Sequence, residues 1–208
     1  IGRGLDVVAI DETFEELENA LQIGFDYRRA GFMAAEFLIQ QGHTNIGYIS
    51  SPLDRPSRKE TFQGYQDAIE EYRLRPRDHW IKISEHQKEH GTEHSYEFSN
   101  GKHLTRRLLA ESDLPTAIMA SNDMTATGVL NELNAQGIKV PDEISVIGFD
   151  NIELGQMITP PLTTIELPKY EMGKLACNLL FDRWDGNNEL SGVTLQPTIV
   201  ERLSVKRL

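Results

Sequence analysis

Short apolar runs alternate with amphipathic segments along most of the chain. The apolar runs predict strands at 7–10, 46–49, 80–83, 117–120, 144–149, 162–165, 193–195 and 199–200. Apolar residues at four-residue spacing, such as Met33 and Phe37, predict helices over 29–41, 62–72, 104–110, 123–136 and 172–184. Strands that alternate with helices are typical of an α/β fold whose parallel sheets are covered by helices on both faces.

Two of the predicted strands end in polar side chains. The run at 117–120 continues into Ser121, Asn122 and Asp123, and the run at 144–149 continues into Asp150 and Asn151. Ligands of open α/β sheets bind at the carboxyl ends of the strands, and carboxylates and amides there suit the vicinal hydroxyls of a sugar. The pattern predicts Asp150 as a ligand contact, whereas Asp123 fits a ligand contact and a helix cap equally well.

The composition limits the classes of function. With 21 basic and 32 acidic residues, the 208-residue chain has a formal charge of −11, so we expect no DNA-binding surface within it. No apolar stretch is long enough to cross a bilayer, and we expect no membrane partner. Cys177 is the only cysteine and lies among apolar residues, which predicts a buried structural thiol in a reducing, cytoplasmic setting.

A histidine-rich segment offers an alternative that involves catalysis. His86, Glu89 and His90 match the H-x-x-E-H pattern of some zinc enzymes, and His94 continues the four-residue spacing. The neighbouring residues are almost all polar and Gly91 interrupts them, which favours a solvated loop over a zinc site. Because nucleotide-binding and nucleophile motifs are also missing from the sequence, we expect no catalytic residue, no metal and no cofactor.

Five segments, in order, resemble the effector-binding domain of the LacI/GalR (lactose-repressor) transcription regulators. The longest are GIKVPDEISVIGFD at 137–150 and PTAIMASNDMTA at 115–126. The others are GHTNIGYI at 42–49, PPLTTI at 160–165 and ERLS at 201–204. Each segment is a weak match alone, but together they extend over nearly the whole chain.

The resemblance implies two Rossmann-like lobes with parallel sheets, of the periplasmic-binding-protein-like type, around an effector cleft. It also implies a homodimer that reaches DNA only through a helix-turn-helix, which we do not expect in this chain. By this comparison the first lobe is incomplete at the N-terminus. Residues 1–71 and 163–208 are predicted to form the partial N-terminal lobe and residues 72–162 the C-terminal lobe, with hinges at 51–52 and 159–161.

The resemblance assigns ligand contacts position by position. Asp26 corresponds to a polar position of the first lobe that faces the cleft, and Asn122 and Asp150 correspond to ligand positions of the second lobe. Either Tyr96 or Phe98 lies where the family often has an aromatic side chain stacked on the effector. Core packing is the alternative for both aromatic residues.

One position departs from the family. Many relatives have an effector-binding arginine where this chain has Thr61, and a threonine hydroxyl cannot reproduce the planar, bidentate contact of a guanidinium. Arg58, one helical turn earlier, is a candidate substitute, with a solvated side chain as the alternative. Ser57 is a further candidate for the cleft.

These observations predict the effector-sensing, dimerising domain of a cytoplasmic transcription regulator. A small polar ligand, expected to be a sugar, would control DNA binding by favouring one arrangement of the lobes. A secreted sugar-binding protein with the same bilobal fold is the alternative. A zinc enzyme that uses His86 and His90 is a more remote one.

Overall fold

The structure is a computed structural model that describes residues 6–11, 21–85, 93–186 and 192–208. The chain divides into two compact units. The smaller unit consists of Ile1–Asp26 and Leu167–Pro197, and the larger unit consists of Tyr27–Glu166 and Thr198–Leu208.

The described residues form an alternating series of strands and helices. The strands are β1 (Val8–Asp11), β2 (Leu21–Phe25), β3 (Ile46–Ser50), β4 (Ile81–Ile83), β5 (Ala117–Ala120), β6 (Ser145–Phe149), β7 (Thr163–Glu166), β8 (Val193–Leu195) and β9 (Thr198–Val200). The helices are α1 (Tyr27–Gln40), α2 (Pro56–Glu71), α3 (Glu93–Leu109), α4 (Asp123–Ala135), the short α5 (Leu154–Met157) and α6 (Lys169–Trp184), and a single 3₁₀ turn, Asp78–Trp80, precedes β4. The expected α/β fold class with mainly parallel sheets is confirmed.

The larger unit contains a six-stranded sheet in the order β4-β3-β5-β6-β7-β9. All its pairs are parallel except β7 with β9, which is antiparallel. Tyr48 of β3 packs on Phe62 and Tyr65 of α2, with ring centroids 4.9 and 5.2 Å apart. Its neighbour Ile49 packs instead in the apolar core under α3 and α4. Because successive side chains of a strand point to opposite faces, α2 covers one face of the sheet and α3 and α4 cover the other.

This arrangement gives the sheet a switch point between β3 and β5. The chain leaves β3 through α2 and continues into β4 on one side, whereas it leaves β5 through α4 and continues into β6 on the other side. The two strands are hydrogen-bonded neighbours. Ligands of doubly wound folds bind at the carboxyl ends of such a pair, so the fold by itself predicts where a site should lie.

Close helix packing encloses the sheet on both faces. A Cβ atom on Gly64 of α2 would collide with the carbonyl oxygen of Arg28 in α1, and one on Gly128 of α4 would collide with that of Phe98 in α3. The core between α3, α4 and the sheet consists of fully buried apolar side chains, among them Leu104, Leu108, Ile118, Val129, Leu133 and Val146. This packing fixes the strand ends that carry the polar residues.

The smaller unit contains the parallel sheet β1-β2-β8, on which α6 packs. The buried face of α6 consists of Met172, Ala176 and Leu179, at helical spacing. Cys177 lies next to this face and is exposed. The predicted buried thiol is therefore wrong, because the apolar character of the neighbouring residues did not show which side of the helix they occupy.

Three further features differ from the sequence-based expectations. Helix α3 begins at Glu93 and includes residues that were expected to form a polar loop, and strand β2 was not predicted. The units also divide the chain elsewhere than the predicted lobes. Residues 27–71 lie in the larger unit because β3 is hydrogen-bonded to β4 and β5, and neither 51–52 nor 159–161 lies at a boundary between the units.

Candidate functional site

The carboxyl ends of β3, β5 and β6 bring polar residues to one edge of the larger sheet. Ser51 follows β3 and Ser121 follows β5, and the backbone N–H of Ser121 donates to the carbonyl of Ile49 at 3.0 Å. The register of β5 with β6 pairs Met119 with Ile147, and Asn122 and Asp150 each lie three residues beyond this pair, after the carboxyl ends of the two strands. We call this edge the switch-point site.

Asn122 and Asp123 have different roles at the start of α4. Asn122 is the N-cap, and its side-chain oxygen accepts from the N–H of Thr125 at 2.7 Å. Asp123 is fully buried, and its two oxygens accept from the N–H of Ile152 at 2.8 Å and the hydroxyl of Thr164 at 2.6 Å. The carboxylate of Asp123 therefore links the start of α4 to β7 and to the segment that follows β6. Asn122, and not Asp123, is the candidate for a ligand contact at the carboxyl end of β5.

Asp150 is held in an unusual backbone conformation. It is half-buried, its φ angle is 109°, and the φ angle of Asn151 is 47°. The N–H of Asp150 donates to the carbonyl of Ile165 at 2.8 Å, and Arg202 donates to the side-chain oxygen of Asn151 at 2.6 Å. A positive φ at a residue other than glycine costs free energy and is concentrated at functional sites.

A buried ion pair crosses the same edge. Arg58, in the first turn of α2, pairs with Glu97 of α3, and the two residues are 7% and 2% exposed. The guanidinium also donates to the carbonyl of Pro52 and to the carboxylate of Asp54, each at 3.2 Å. Since α2 and α3 lie on opposite faces of the sheet, the ion pair joins the two faces over the end of β3.

Two hydroxyl groups also donate hydrogen bonds to Glu97. One carboxylate oxygen accepts from the hydroxyls of Ser51 at 2.6 Å and Thr125 at 2.9 Å. The side chain of Asn100 donates to the hydroxyl of Ser51 at 2.9 Å. The carboxylate thus has partners from α2, from α4 and from the residue that follows β3, and the whole group is a connected buried network.

A cavity of about 440 Å³ lies beside this network, between α3 and the end of β4. Its walls include Tyr96 and His103 of α3, and Asn100 connects it to the buried network. The hydroxyls of Tyr96 and Ser84 lie 3.0 Å apart. Tyr96 is therefore the aromatic candidate that faces open space.

Comparison with known proteins assigns the family. The periplasmic-binding-protein-like domain matches residues 35–205. The chain belongs to this family. The resemblance to LacI-type regulators is confirmed by its relatives. The ribose operon repressor of Haemophilus influenzae is 35% identical over 205 residues, which are 98% of this chain and 58% of the repressor. The repressor PurR of Salmonella arizonae is 35% identical over 176 residues, 84% of this chain and 49% of PurR.

Solved structures agree with this assignment. A LacI-family regulator from Enterococcus faecium, crystallised with ribose, superposes with a TM-score of 0.79 at 25% identity, over 97% of this chain and 70% of that one. The present chain spans about half the length of the curated relatives that it matches. In the described part of the chain, no helix is both long and apolar enough to span a membrane.

The periplasmic-binding-protein-like domain brings five of the predicted residues to the strand ends and to the start of α2. They are Ser57, Arg58, Thr61, Asn122 and Asp150. Thr61 is buried, and its hydroxyl donates to the carbonyl of Ser57 at 2.9 Å. Arg58 is buried and ion-paired, which corrects the alternative of a solvated side chain.

The other three candidates lie elsewhere. Asp26 is the last residue of the first segment of the smaller unit, and its N–H donates to the carbonyl of Leu195 at 3.3 Å. Tyr96 lines the cavity, whereas Phe98 is half-buried on α3 with the ammonium of Lys102 over its ring at 5.6 Å. The structure therefore separates the two aromatic candidates.

Sequence reasoning missed the buried network to which Arg58 belongs. Ser51, Glu97, Asn100 and Thr125 are polar and buried, and a search for apolar periodicity passes over such positions. The usable signal was the three-residue spacing of Glu97 and Asn100, which puts both side chains on one face of a helix.

The zinc pattern of His86, Glu89 and His90 lies outside the described residues. The side chain of His94 is also outside them. Within the ranges that the structure describes, no group of three or more histidine, cysteine or acidic side chains is arranged to hold a metal ion.

Proposed function

We propose that this chain is the effector-sensing part of a LacI-type transcription regulator, and that its effector is a sugar bound at the switch-point site. The observation that carries the proposal is the conjunction of Asn122, Asp150 and a strained backbone at the carboxyl edge of β5 and β6. The fold predicts a ligand at this edge independently of the residues found there.

The chemistry of the edge suits a polyhydroxylated ligand. The carboxylate of Asp150 can accept two hydrogen bonds from vicinal hydroxyls. The side-chain oxygen of Asn122 already accepts from the N–H of Thr125 in the helix cap, so the amide N–H groups are the part of this side chain that can bind a ligand. The hydroxyl of Ser121 is buried and has no hydrogen-bond partner within the described part of the chain.

Two relatives point to the kind of sugar. One carries the name of a ribose operon repressor, and the regulator from Enterococcus faecium holds ribose. We therefore propose a pentose or a related monosaccharide as the first ligand to test. Asp26 of the smaller unit remains a predicted contact.

Regulation in the complete protein would follow the pattern of such repressors. We propose a cytoplasmic homodimer that binds DNA through a helix-turn-helix outside this chain, with no catalytic step. Ligand binding would alter DNA binding by favouring one of two conformations. A secreted sugar-binding protein of the same fold is the competing proposal, and the repressor names of the relatives favour the regulator.

A thermal-shift screen tests the ligand proposal directly. The chain is heated with pentoses, hexoses, polyols, sugar phosphates and nucleobases. A ligand at a hundred times its dissociation constant adds about 2.7 kcal/mol, which raises the melting temperature of a chain of this size by roughly 5–10 °C. We expect one class of sugar to produce such a shift.

Variants locate the binding site. Asp150→Ala and Asn122→Ala should each abolish most of the shift, whereas Asp142→Ala, at an exposed acidic residue, should leave it intact. A shift that survives both substitutions contradicts the assignment of the site. A cooperative melt that no member of the panel moves contradicts the proposed effector class.

A further inference from the structure

Arg58 lies where an anionic ligand would be expected to bind. It is in the first turn of α2, where backbone N–H groups and the helix dipole attract anions. Its hydrogen-bond donors, however, are directed at Pro52, Asp54 and Glu97. A phosphate or carboxylate on a ligand would have to displace these partners before it could use the guanidinium.

Glu97 is not easily displaced. It is almost fully buried, and its second carboxylate oxygen accepts from the hydroxyls of Ser51 and Thr125. A buried carboxylate that loses its cation is left uncompensated, and that is strongly unfavourable. Arg58 and Glu97 therefore act as one neutral unit towards a ligand.

The remaining charges near this pair favour neutral ligands. Asp54 lies on the exposed side of Arg58, and Asp150 follows β6 at the same edge of the sheet. Arg55, the N-cap residue of α2, is exposed, and an exposed cation is largely screened by solvent. Arg202, beside Asn151, already donates to the carbonyl of Leu162 and to the side chain of Asn151. An approaching anion thus meets the carboxylates of Asp54 and Asp150, and the guanidinium groups of Arg58 and Arg202 already have partners within the protein.

We infer that Glu97 determines the charge preference of the switch-point site: by holding Arg58 in a buried ion pair, it restricts the site to uncharged, polyhydroxylated ligands. This inference rests on the proposed function. Ligand hydroxyls would bind to Asp150 and Asn122, and sugar phosphates and sugar acids would be rejected. Glu97 is thus a specificity-determining residue that acts through Arg58.

Matched pairs of ligands separate this inference from sugar binding itself. Calorimetry on the full chain compares ribose with ribose 5-phosphate, glucose with glucose 6-phosphate, and glucose with gluconate. For the wild-type chain we expect at least one neutral member to bind, and its charged counterpart to bind at least tenfold more weakly.

Removal of the ion pair between Arg58 and Glu97 should weaken the preference of the site for neutral over charged ligands. Glu97→Gln removes the negative charge with little change in size and leaves a cation at the edge of the site. The ratio of the affinities for the charged and neutral members should rise at least tenfold. Glu111→Gln is the matched control, because Glu111 pairs with Lys82, outside the switch-point site, and the ratio should not change.

A second variant covers the case in which Glu97→Gln does not fold. The double variant with Arg58→Gln and Glu97→Gln replaces the ion pair with two amides of similar size, and it should keep the preference for the neutral member. A wild-type chain that binds the charged members as well as the neutral ones overturns the role of Glu97 and leaves the sensor proposal standing. A folded wild-type chain that binds no member of any pair overturns the sensor proposal, and the inference with it.

Discussion

The hydroxyl of Thr164 in β7 lies 2.6 Å from a carboxylate oxygen of Asp123 at the start of α4. Both residues are fully buried. The other oxygen of Asp123 accepts from the N–H of Ile152. A single carboxylate therefore fixes the ends of β5, β6 and β7 relative to one another, which positions Asn122 and Asp150 for ligand binding.

Thr164→Val tests this link. The substitution preserves the shape of the side chain and removes the hydrogen bond to the charged, buried acceptor, together with the weaker contact in which the hydroxyl accepts from the N–H of Asn151 at 3.4 Å. The loss of the bond to the carboxylate should lower the free energy of unfolding by about 1.5–3 kcal/mol. Urea denaturation measures the change. Thr198→Val, at an exposed position of β9, should change stability by less than about 0.5 kcal/mol, and equal effects of the two substitutions would contradict the role given to Asp123.

The strands that carry the site were predictable, because each is a buried apolar run followed by polar residues. Both faces of a parallel sheet are covered, so β5 is apolar throughout, β6 is apolar after Ser145, and both stand out in the sequence. The polar residues Asn122 and Asp150 then follow at the strand ends. The position of the candidate site could therefore be derived from the sequence.

Helix α3 was only partly predictable, for a physical reason. Its first half directs Glu97 and Asn100 into the buried network, where an amphipathic pattern would require apolar side chains. Strand β2, in contrast, could have been predicted, because the buried apolar residues Leu21 and Ile23 have the two-residue spacing of a strand. The boundaries of the two compact units could not be derived, because they depend on which strands pair across long stretches of sequence.

The contact between α1 and α2 depends on Gly64. A Cβ atom there would collide with the backbone of Arg28 and approach the backbone nitrogen of Phe32 to 2.7 Å. Gly64→Ala should therefore lower the free energy of unfolding by about 3 kcal/mol, at the upper end of the range for overpacking. Gly173→Ala is the matched control, because no described atom lies within 4 Å of a Cβ atom placed there, and it should raise helix stability by up to about 1 kcal/mol. Denaturation curves of both variants, monitored by circular dichroism, decide whether close packing or helix propensity governs these positions.

His43 predicts a dependence of stability on pH. The ring is buried, with Nδ1 at 2.9 Å from the hydroxyl of Thr116 and Nε2 at 3.2 Å from the carbonyl of Lys206. A carbonyl only accepts, so Nε2 carries the proton in the neutral ring; the hydroxyl of Thr116 also lies 3.2 Å from the carbonyl of Asn45, to which it can donate. Burial lowers the pKa of His43 below its usual value near 6.5.

The sign of the effect follows from proton uptake. Below about pH 6.5 the unfolded chain protonates this histidine while the folded chain does not, so stability is complete above that pH and decreases as the pH falls. The slope should reach at most about 1.4 kcal/mol per pH unit for one proton. Urea midpoints between pH 5 and 8 should show the decrease for the wild-type chain. His43→Gln should show a flatter profile over this range, and parallel profiles would mean that other groups cause the dependence.

The substitution Asp150→Gly should affect the free energy of unfolding and the affinity for the ligand in different ways. Its φ angle of 109° is costly for any residue that has a Cβ atom, so Asp150→Gly should leave the free energy of unfolding unchanged or raise it by about 1 kcal/mol. The same substitution removes the carboxylate that we assign to the ligand hydroxyls. Hydrogen bonds to a charged group contribute about 1.5–3 kcal/mol, so sugar affinity should fall at least tenfold.

Arg73→Gly provides the control, because Arg73 also has a positive φ angle but is exposed at the end of α2, away from the strand ends. This substitution should relieve strain without changing the affinity for the sugar. Chemical denaturation and calorimetry on the same two variants measure both quantities. A loss of stability in Asp150→Gly would show that the carboxylate supports the fold, whereas a stable variant with weakened binding shows that the backbone strain is retained for the ligand.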